Sequence, residues 1–243
     1  SRPGAHHGAM AHPTRGDPVR FLADGGAPER AADHSLEGFE LARRLGADGW
    51  EVSGHLSVDG VVVVARSATV GWRRRPRSAL AAADGLTLDD LLALDTASEP
   101  LVSVRVEGRR ALDAVAVASV GAAATERTWV RCGDMEVLAG FAADVGPSRP
   151  RLLHEAPLAA MVDGPERHAA RLRDAGIDGQ AMAFGQWTGG LTALFHRFGL
   201  LCSGRGAVHV RMIREFVAMG LDSVAGTHPD RLAEARRAPG TTP

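Results

Sequence analysis

Short apolar runs alternate along the chain with amphipathic stretches of helical period. The runs with the length and composition of strands are Val19–Asp24, Gly49–Ser53, Val61–Arg66, Leu101–Glu107, Thr128–Cys132, Leu152–Glu155, Ala181–Gly185, Gly199–Ser203 and Leu221–Gly226. Most are apolar throughout, the pattern of strands covered on both faces. Between them, apolar residues recur three and four positions apart in Leu36–Leu45, Leu88–Leu94, Arg110–Ala123, Met135–Val145, Pro165–Ala175, Leu191–Arg197 and Val208–Met219, which predicts helices. Ser35 stands where a cap belongs, Thr87 and Asp90 have capping-box spacing, and Asp163 followed by Pro165 opens another helix. Gly46, Gly176, Gly199 and Gly220 fall where helices should stop.

Repeated β-α alternation predicts a parallel sheet, and the number of units predicts a closed (β/α)8 TIM barrel. One strand is surplus to eight. Asp59-Gly60 is a hairpin signal, so Val61–Arg66 is expected to return antiparallel on Glu51–Val58. Ser67–Gly85, with Arg73-Arg74-Arg75-Pro76, has no periodicity and reads as a loop inserted near the barrel mouth after the second strand. No internal repeat or domain boundary stands out. Residues 1–18, with His6, His7 and His12 among Gly and Pro, read as a leader; 19–236 as one barrel domain; 237–243 as a tail.

The composition narrows the chemistry. At 243 residues, 45% hydrophobic and 23% charged, the chain buries a core without staples. A formal net charge of −1 gives no pull toward nucleic acid, and no apolar run approaches the about 20 residues of a membrane span. Cys132 and Cys202 lie outside any metal-ligand spacing, which points to reduced thiols and a cytoplasmic setting. Lysine, asparagine and tyrosine are absent, which excludes Schiff-base chemistry, a P-loop lysine and N-glycosylation.

Four segments, in order, resemble the glycerophosphodiester phosphodiesterase family, of the phospholipase C-like phosphodiesterase type. They are Ala32-Asp33-His34-Ser35-Leu36-Glu37-Gly38-Phe39; Gly46-Ala47-Asp48-Gly49-Trp50-Glu51 with Leu56-Ser57-Val58-Asp59-Gly60; Leu86-Thr87-Leu88-Asp89-Asp90-Leu91; and Gly220-Leu221-Asp222-Ser223-Val224 with Pro229-Asp230. The resemblance implies a (β/α)8 barrel from Val19 to about Leu232. It also implies a phosphodiester substrate cleaved to glycerol 3-phosphate and an alcohol, a divalent cation such as Mg2+ or Ca2+ held by carboxylates, and two histidines acting as acid and base. The cation screens the phosphate, and the histidines move protons to the leaving group and from the nucleophile.

This chain departs from that pattern at the site. The first expected histidine position reads Asp24-Gly25-Gly26 and the second Arg66-Ser67; the paired acids read Glu51-Val52-Ser53; a later acid–lysine pair reads Arg105-Val106-Glu107; and a run near the end reads Cys202-Ser203-Gly204-Arg205. Both catalytic histidines are replaced, by Asp24 and Arg66. Glu51 and Asp24 remain as carboxylates for a cation. Arginine is no general base near neutral pH. Three readings follow for the mouth. Asp24 and Glu51 pair with Arg66 and Arg105 and close the old metal site; Arg66, Arg105 and Arg205 form a pocket for a small phosphodiester or phosphate; or metal-dependent hydrolysis survives. His34 is expected as a capping or packing group, His55 as solvent-facing, and His154-Glu155 as a pair that can face the mouth. Gly204-Arg205-Gly206 reads equally as a phosphate loop or a tight turn.

Overall fold

A computed structural model describes residues 18–67, 69–70, 75–76, 81, 85–94 and 96–237. The leader up to residue 17, Arg73 and Arg74 of the inserted loop, and the tail from 238 lie outside them. Eight parallel strands form the barrel: β1 (Arg20–Asp24), β2 (Gly49–Leu56), β6 (Leu101–Arg105), β7 (Thr128–Cys132), β8 (Arg151–Glu155), β9 (Gly179–Ala183), β10 (Leu201–Arg205) and β11 (Ser223–Gly226). Their order is β1-β11-β10-β9-β8-β7-β6-β2, and the β1–β2 pairing closes it. The surplus strand is β3 (Val62–Val64), antiparallel on the end of β2 with Gly54 opposite Val64. Gly60 supplies the positive φ of the turn, +80°. Within the inserted loop, β4 (Thr69–Val70) and β5 (Arg75–Pro76) pair antiparallel, local structure that the aperiodic sequence does not signal.

Among the described residues eight α-helices wrap the barrel: α1 (Leu36–Arg44), α2 (Leu88–Ala93), α3 (Arg109–Gly121), α4 (Met135–Val145), α5 (Pro165–Asp174), α6 (Gly189–Arg197), α7 (Val210–Ala218) and α8 (Pro229–Arg236). The Ser35 cap and the Thr87–Asp90 capping box form as expected. At α5 the cap is Gly164, without a side-chain bond, and not Asp163. Helix α8 is absent from the sequence expectations because it buries only Pro229 and Leu232, too few for a stripe to show. His55 is half-buried rather than solvent-facing, with Nε2 3.2 Å from the Ala65 carbonyl. Among the described residues no helix is long and apolar enough to cross a membrane.

The barrel strands carry apolar residues on both faces because both faces are covered. Leu22, Leu101, Trp129, Leu153, Ala181, Leu201 and Ala225 fill the barrel, while Trp50, Val52, Val102, Val104, Val130 and Leu152 pack outward under the helices. Successive side chains alternate between these faces.

A motif recurs three times on the N-terminal face of the barrel: Gly46-Ala47-Asp48-Gly49, Gly176-Ile177-Asp178-Gly179 and Gly220-Leu221-Asp222-Ser223. The sequence carries this repeat, although it is too short to stand out by eye. Each glycine ends a helix at positive φ, and the next residue bonds back to the carbonyl of Ala42, Leu172 or Phe216, a Schellman motif each time. Each aspartate then accepts the N–H of the preceding strand, of Phe21, Leu152 or Cys202, at 2.6–2.7 Å. Its own N–H donates back to the same residue's carbonyl. Glycine is required after Asp48 and Asp178, where a Cβ would stand 1.9 Å from the Leu101 carbonyl and 2.5 Å from that of Leu201. These latches fix the register of three strand pairs and so aim the side chains at the opposite end.

Candidate functional site

Alternation along the strands sends Asp24, Glu51, Ser53, Ser103, Arg105, Arg131, Glu155 and Arg205 to the inside at the C-terminal end, where active sites of such barrels sit. Together with His34, from the β1–α1 loop, and Arg66, just past β3, six of them (Asp24, Glu51, Ser53, Arg105, Arg131 and Arg205) line a cavity of about 110 Å3.

Two residues organise this mouth. Arg131 is 2% exposed and Glu155 12%. Arg131 Nη1 donates to Glu155 Oε2 at 2.6 Å, its Nε to Ser103 Oγ at 3.0 Å and its Nη2 to the Val52 carbonyl at 3.2 Å. Glu155 Oε1 in turn accepts Arg205 and lies 3.2 Å from Arg105 Nε. Glu51 is wholly enclosed, its Oε1 3.5 Å from Arg131 and 3.9 Å from Arg205. Among the described residues its Oε2 has no hydrogen-bond partner. Burial pushes the Glu51 carboxyl above its ordinary range, the nearby Asp24 charge adds to this, and Arg131 and Arg205 oppose it.

The expected pairing is therefore corrected. Arg66 grips Asp33 instead, with Nε at 2.6 Å and Nη2 at 3.1 Å, because it lies beyond β3 on the rim, where Asp33 faces it. Arg105 divides itself between Glu107 and Glu155. Asp24 makes no hydrogen bond or ion pair among the described residues, although it stands beside Glu51 in the β1–β2 register. The cluster closes through Glu155 and Arg131, not through Asp24 and Arg66.

His34 is more than a packing group. It adopts φ +55°, a left-handed conformation uncommon outside glycine, and reaches the cavity lining. Its N–H donates to the Gly25 carbonyl, and Nδ1 lies 2.9 Å from Asp33 Oδ1. Gly25 permits this approach: a Cβ there would stand 2.7 Å from the Asp33 carboxylate. Partial burial works against ionisation of Asp33, but Arg66 and His34 hold its carboxyl below the ordinary value.

Of the pair His154-Glu155, only Glu155 faces the mouth. His154 points outward into a buried group with His168 and Gln180, whose Oε1 lies 3.2 and 3.0 Å from the two rings. Burial pushes both imidazoles below their ordinary value, and the Gln180 bonds partly offset it. Gly204 and Gly206 serve packing and a turn: a Cβ on Gly204 would meet Leu221 at 2.4 Å, and Gly206 has φ +78°. Ser203 donates to nothing catalytic; its Oγ accepts from Ser223 inside the barrel.

The residues present do not fit a divalent cation. Asp24, Glu51 and Glu155 are matched by Arg105, Arg131 and Arg205, and both oxygens of Glu155 are committed to guanidiniums. At about 5 Å and an effective dielectric near 20, each guanidinium repels a dication by several kcal/mol. Sequence reasoning missed Arg131. Its signal was a single arginine, two positions past Trp129, in an otherwise apolar strand.

No family model matches the chain, and no curated protein matches it. Solved structures do. A glycerophosphodiester phosphodiesterase from Thermotoga maritima matches with a TM-score of 0.75 at 17% identity over 90% of this chain and 99% of that one. One from Agrobacterium tumefaciens gives 0.73 at 16% over 89% and 100%. A phosphodiesterase from Oleispira antarctica, solved with the product sn-glycerol-3-phosphate, gives 0.72 at 12% over 89% and 96%. The barrel that the four sequence segments implied is thus the one the chain adopts, and its fold is that of the glycerophosphodiester phosphodiesterases.

Proposed function

We propose that this chain is a homologue of the glycerophosphodiester phosphodiesterases in which an arginine–glutamate cluster has replaced the hydrolytic centre, and that its mouth binds a small phosphate-bearing molecule without cleaving it. The lining of the cavity carries this reading: four arginines set against two carboxylates, Asp24 and Glu51, with a single imidazole, His34, whose Nδ1 lies beside Asp33. Phosphodiester cleavage needs one group to accept a proton and another to give one. Arginine does neither near neutral pH.

Anion recognition is what the same residues do well. A guanidinium has five N–H donors in a fork that suits phosphate. Arg66 spends two nitrogens on Asp33, and Arg205 one on Glu155, so both retain donors. The cavity of about 110 Å3 has room for about four waters at ~30 Å3 each, hence for one phosphate group. The ligand of the Oleispira antarctica structure, sn-glycerol-3-phosphate, is the first to test. A cytoplasmic setting belongs to the same proposal, supported by two free, buried thiols, Cys132 and Cys202.

Calorimetric titration with inorganic phosphate and with sn-glycerol-3-phosphate tests this. Millimolar or tighter binding is expected, weakened at least 10-fold by Arg205→Ala and by Arg66→Ala. No heat of binding overturns the anion pocket. A second reading, retained hydrolysis, draws on one observation: among the described residues the Asp24 carboxylate and the Glu51 Oε2 have no hydrogen-bond partner. Release of glycerol 3-phosphate from glycerophosphocholine with Mg2+, Ca2+ or Mn2+, abolished by Glu51→Ala, establishes it and overturns the first.

A further inference from the structure

The third of the aspartate latches departs from the other two. Asp48 and Asp178 are each neutralised by a guanidinium, from Arg236 and Arg149. At Asp222 an imidazole takes that place: His196 Nε2, in the last turn of α6, lies 3.0 Å from Asp222 Oδ2. The strand residue whose N–H this oxygen accepts is Cys202. An imidazole nitrogen, a thiol sulfur and a carboxylate oxygen therefore lie within 4.8 Å of one another, and no other such trio converges among the described residues. The Cys202 thiol is fully buried, while His196 and Asp222 are 35% and 20% exposed. Solvent reaches the group from one side.

We infer that His196, Cys202 and Asp222 form a binding site for a thiophilic divalent cation, zinc above all, on the barrel face opposite the mouth. Thiolate, imidazole and carboxylate make a borderline-to-soft donor set that suits Zn2+. Mg2+ and Ca2+ take oxygen ligands and are excluded by the same set. Bond lengths of about 2.0–2.3 Å in a tetrahedron place ligand atoms about 3.3–3.6 Å apart. His196 Nε2 stands 3.0 Å from Asp222 Oδ2 and the three donors lie within 4.8 Å of one another, so closure asks for a turn of the carboxylate that presents Oδ1 and a shift of about 1 Å toward the sulfur. Asp222 uses only Oδ2 in its latch, which leaves Oδ1 for the ion. The exposed side leaves the fourth position to water.

The proton balance is simple. Cys202 binds as thiolate and releases one proton to solvent, and His196 binds through neutral Nε2. The ion then does for Asp222 what the guanidinium does for Asp48 and Asp178: it sets a positive charge against the carboxylate that holds the strand.

The test is titration of the metal-free full chain with Co2+, followed by the near-ultraviolet thiolate-to-cobalt band. One equivalent is expected to raise the band, Zn2+ to abolish it by displacement, and Mg2+ and Ca2+ to leave it unchanged. His6, His7 and His12 bind metals without a thiolate band, so the readout separates them. Cys202→Ser is expected to remove the band, and His196→Gln, at a half-exposed position that folds readily, to weaken binding at least 10-fold. No band in the folded wild type, a band that persists in Cys202→Ser, or unchanged affinity in folded His196→Gln overturns the site.

Discussion

On the N-terminal face of the barrel each aspartate holds one backbone N–H and one basic side chain, a guanidinium at Asp48 and Asp178 and an imidazole at Asp222. On the C-terminal face a single carboxylate, Glu155, is shared by three guanidiniums, and among the described residues the neighbouring Glu51 and Asp24 keep oxygens without hydrogen-bond partners. The first arrangement is modular: every latch is complete in itself. The second is a network in which no pair is complete alone. Barrel enzymes divide their ends in this way, with stability at the bottom and chemistry at the top. Here the carboxylates at the top are incompletely satisfied among the described residues.

The largest expected effect breaks the network. Glu155→Ala leaves Arg131, 2% exposed, without its principal counter-charge. Removal of one partner from a buried pair costs about 3–5 kcal/mol, and urea unfolding should register it. A loss below about 1 kcal/mol would mean that Glu51 takes over and that the network is redundant.

Next come the latches, each an ionised acceptor worth about 1.5–3 kcal/mol. Asp178→Asn is expected to cost most, about 2–3 kcal/mol, because Arg149 is nearly buried. Asp48→Asn and Asp222→Asn face more exposed partners, Arg236 and His196, and should cost about 1 kcal/mol each. Equal losses at all three would show that the backbone bond alone sets the value.

A smaller effect appears with pH. His154 and His168 are held below their ordinary 6.5 by burial, so the unfolded chain takes up protons first on acidification. Their contribution is full above pH 6.5 and is lost as pH falls below it. Glu51, raised above 4.5, works in the opposite sense, stabilising at low pH and losing its contribution as pH rises past 4.5. Unfolding free energies at pH 7.5 and 5.5 should fall further in the wild type than in His168→Gln. Parallel losses would remove the buried pair as the cause.

The smallest change is at the rim. Arg66 and Asp33 are 60% and 34% exposed, and such pairs contribute within about 0.5 kcal/mol. Arg66→Ala should leave stability unchanged while weakening phosphate binding, separating rim from network at the same mouth.

Much of the barrel was legible because its signals are local. Continuous apolar runs marked strands with two covered faces, four glycines marked helix ends, and Asp59-Gly60 marked the hairpin; α8 escaped because two buried residues make no stripe. At the site, residue types were readable and partners were not. Asp24, Glu51, Arg66, Arg105 and Arg205 all lie at the mouth, yet the pairing of Asp24 and Glu51 with Arg66 and Arg105, one of the three readings of the sequence, is not the one that forms. Arg66 meets Asp33 across 33 positions and Arg205 meets Glu155 across 50. Period and capping act over a few residues and are written in order along the chain. Charge pairing depends on which strands the barrel closure brings side by side and on how deeply each group is buried, and only the folded chain sets those distances.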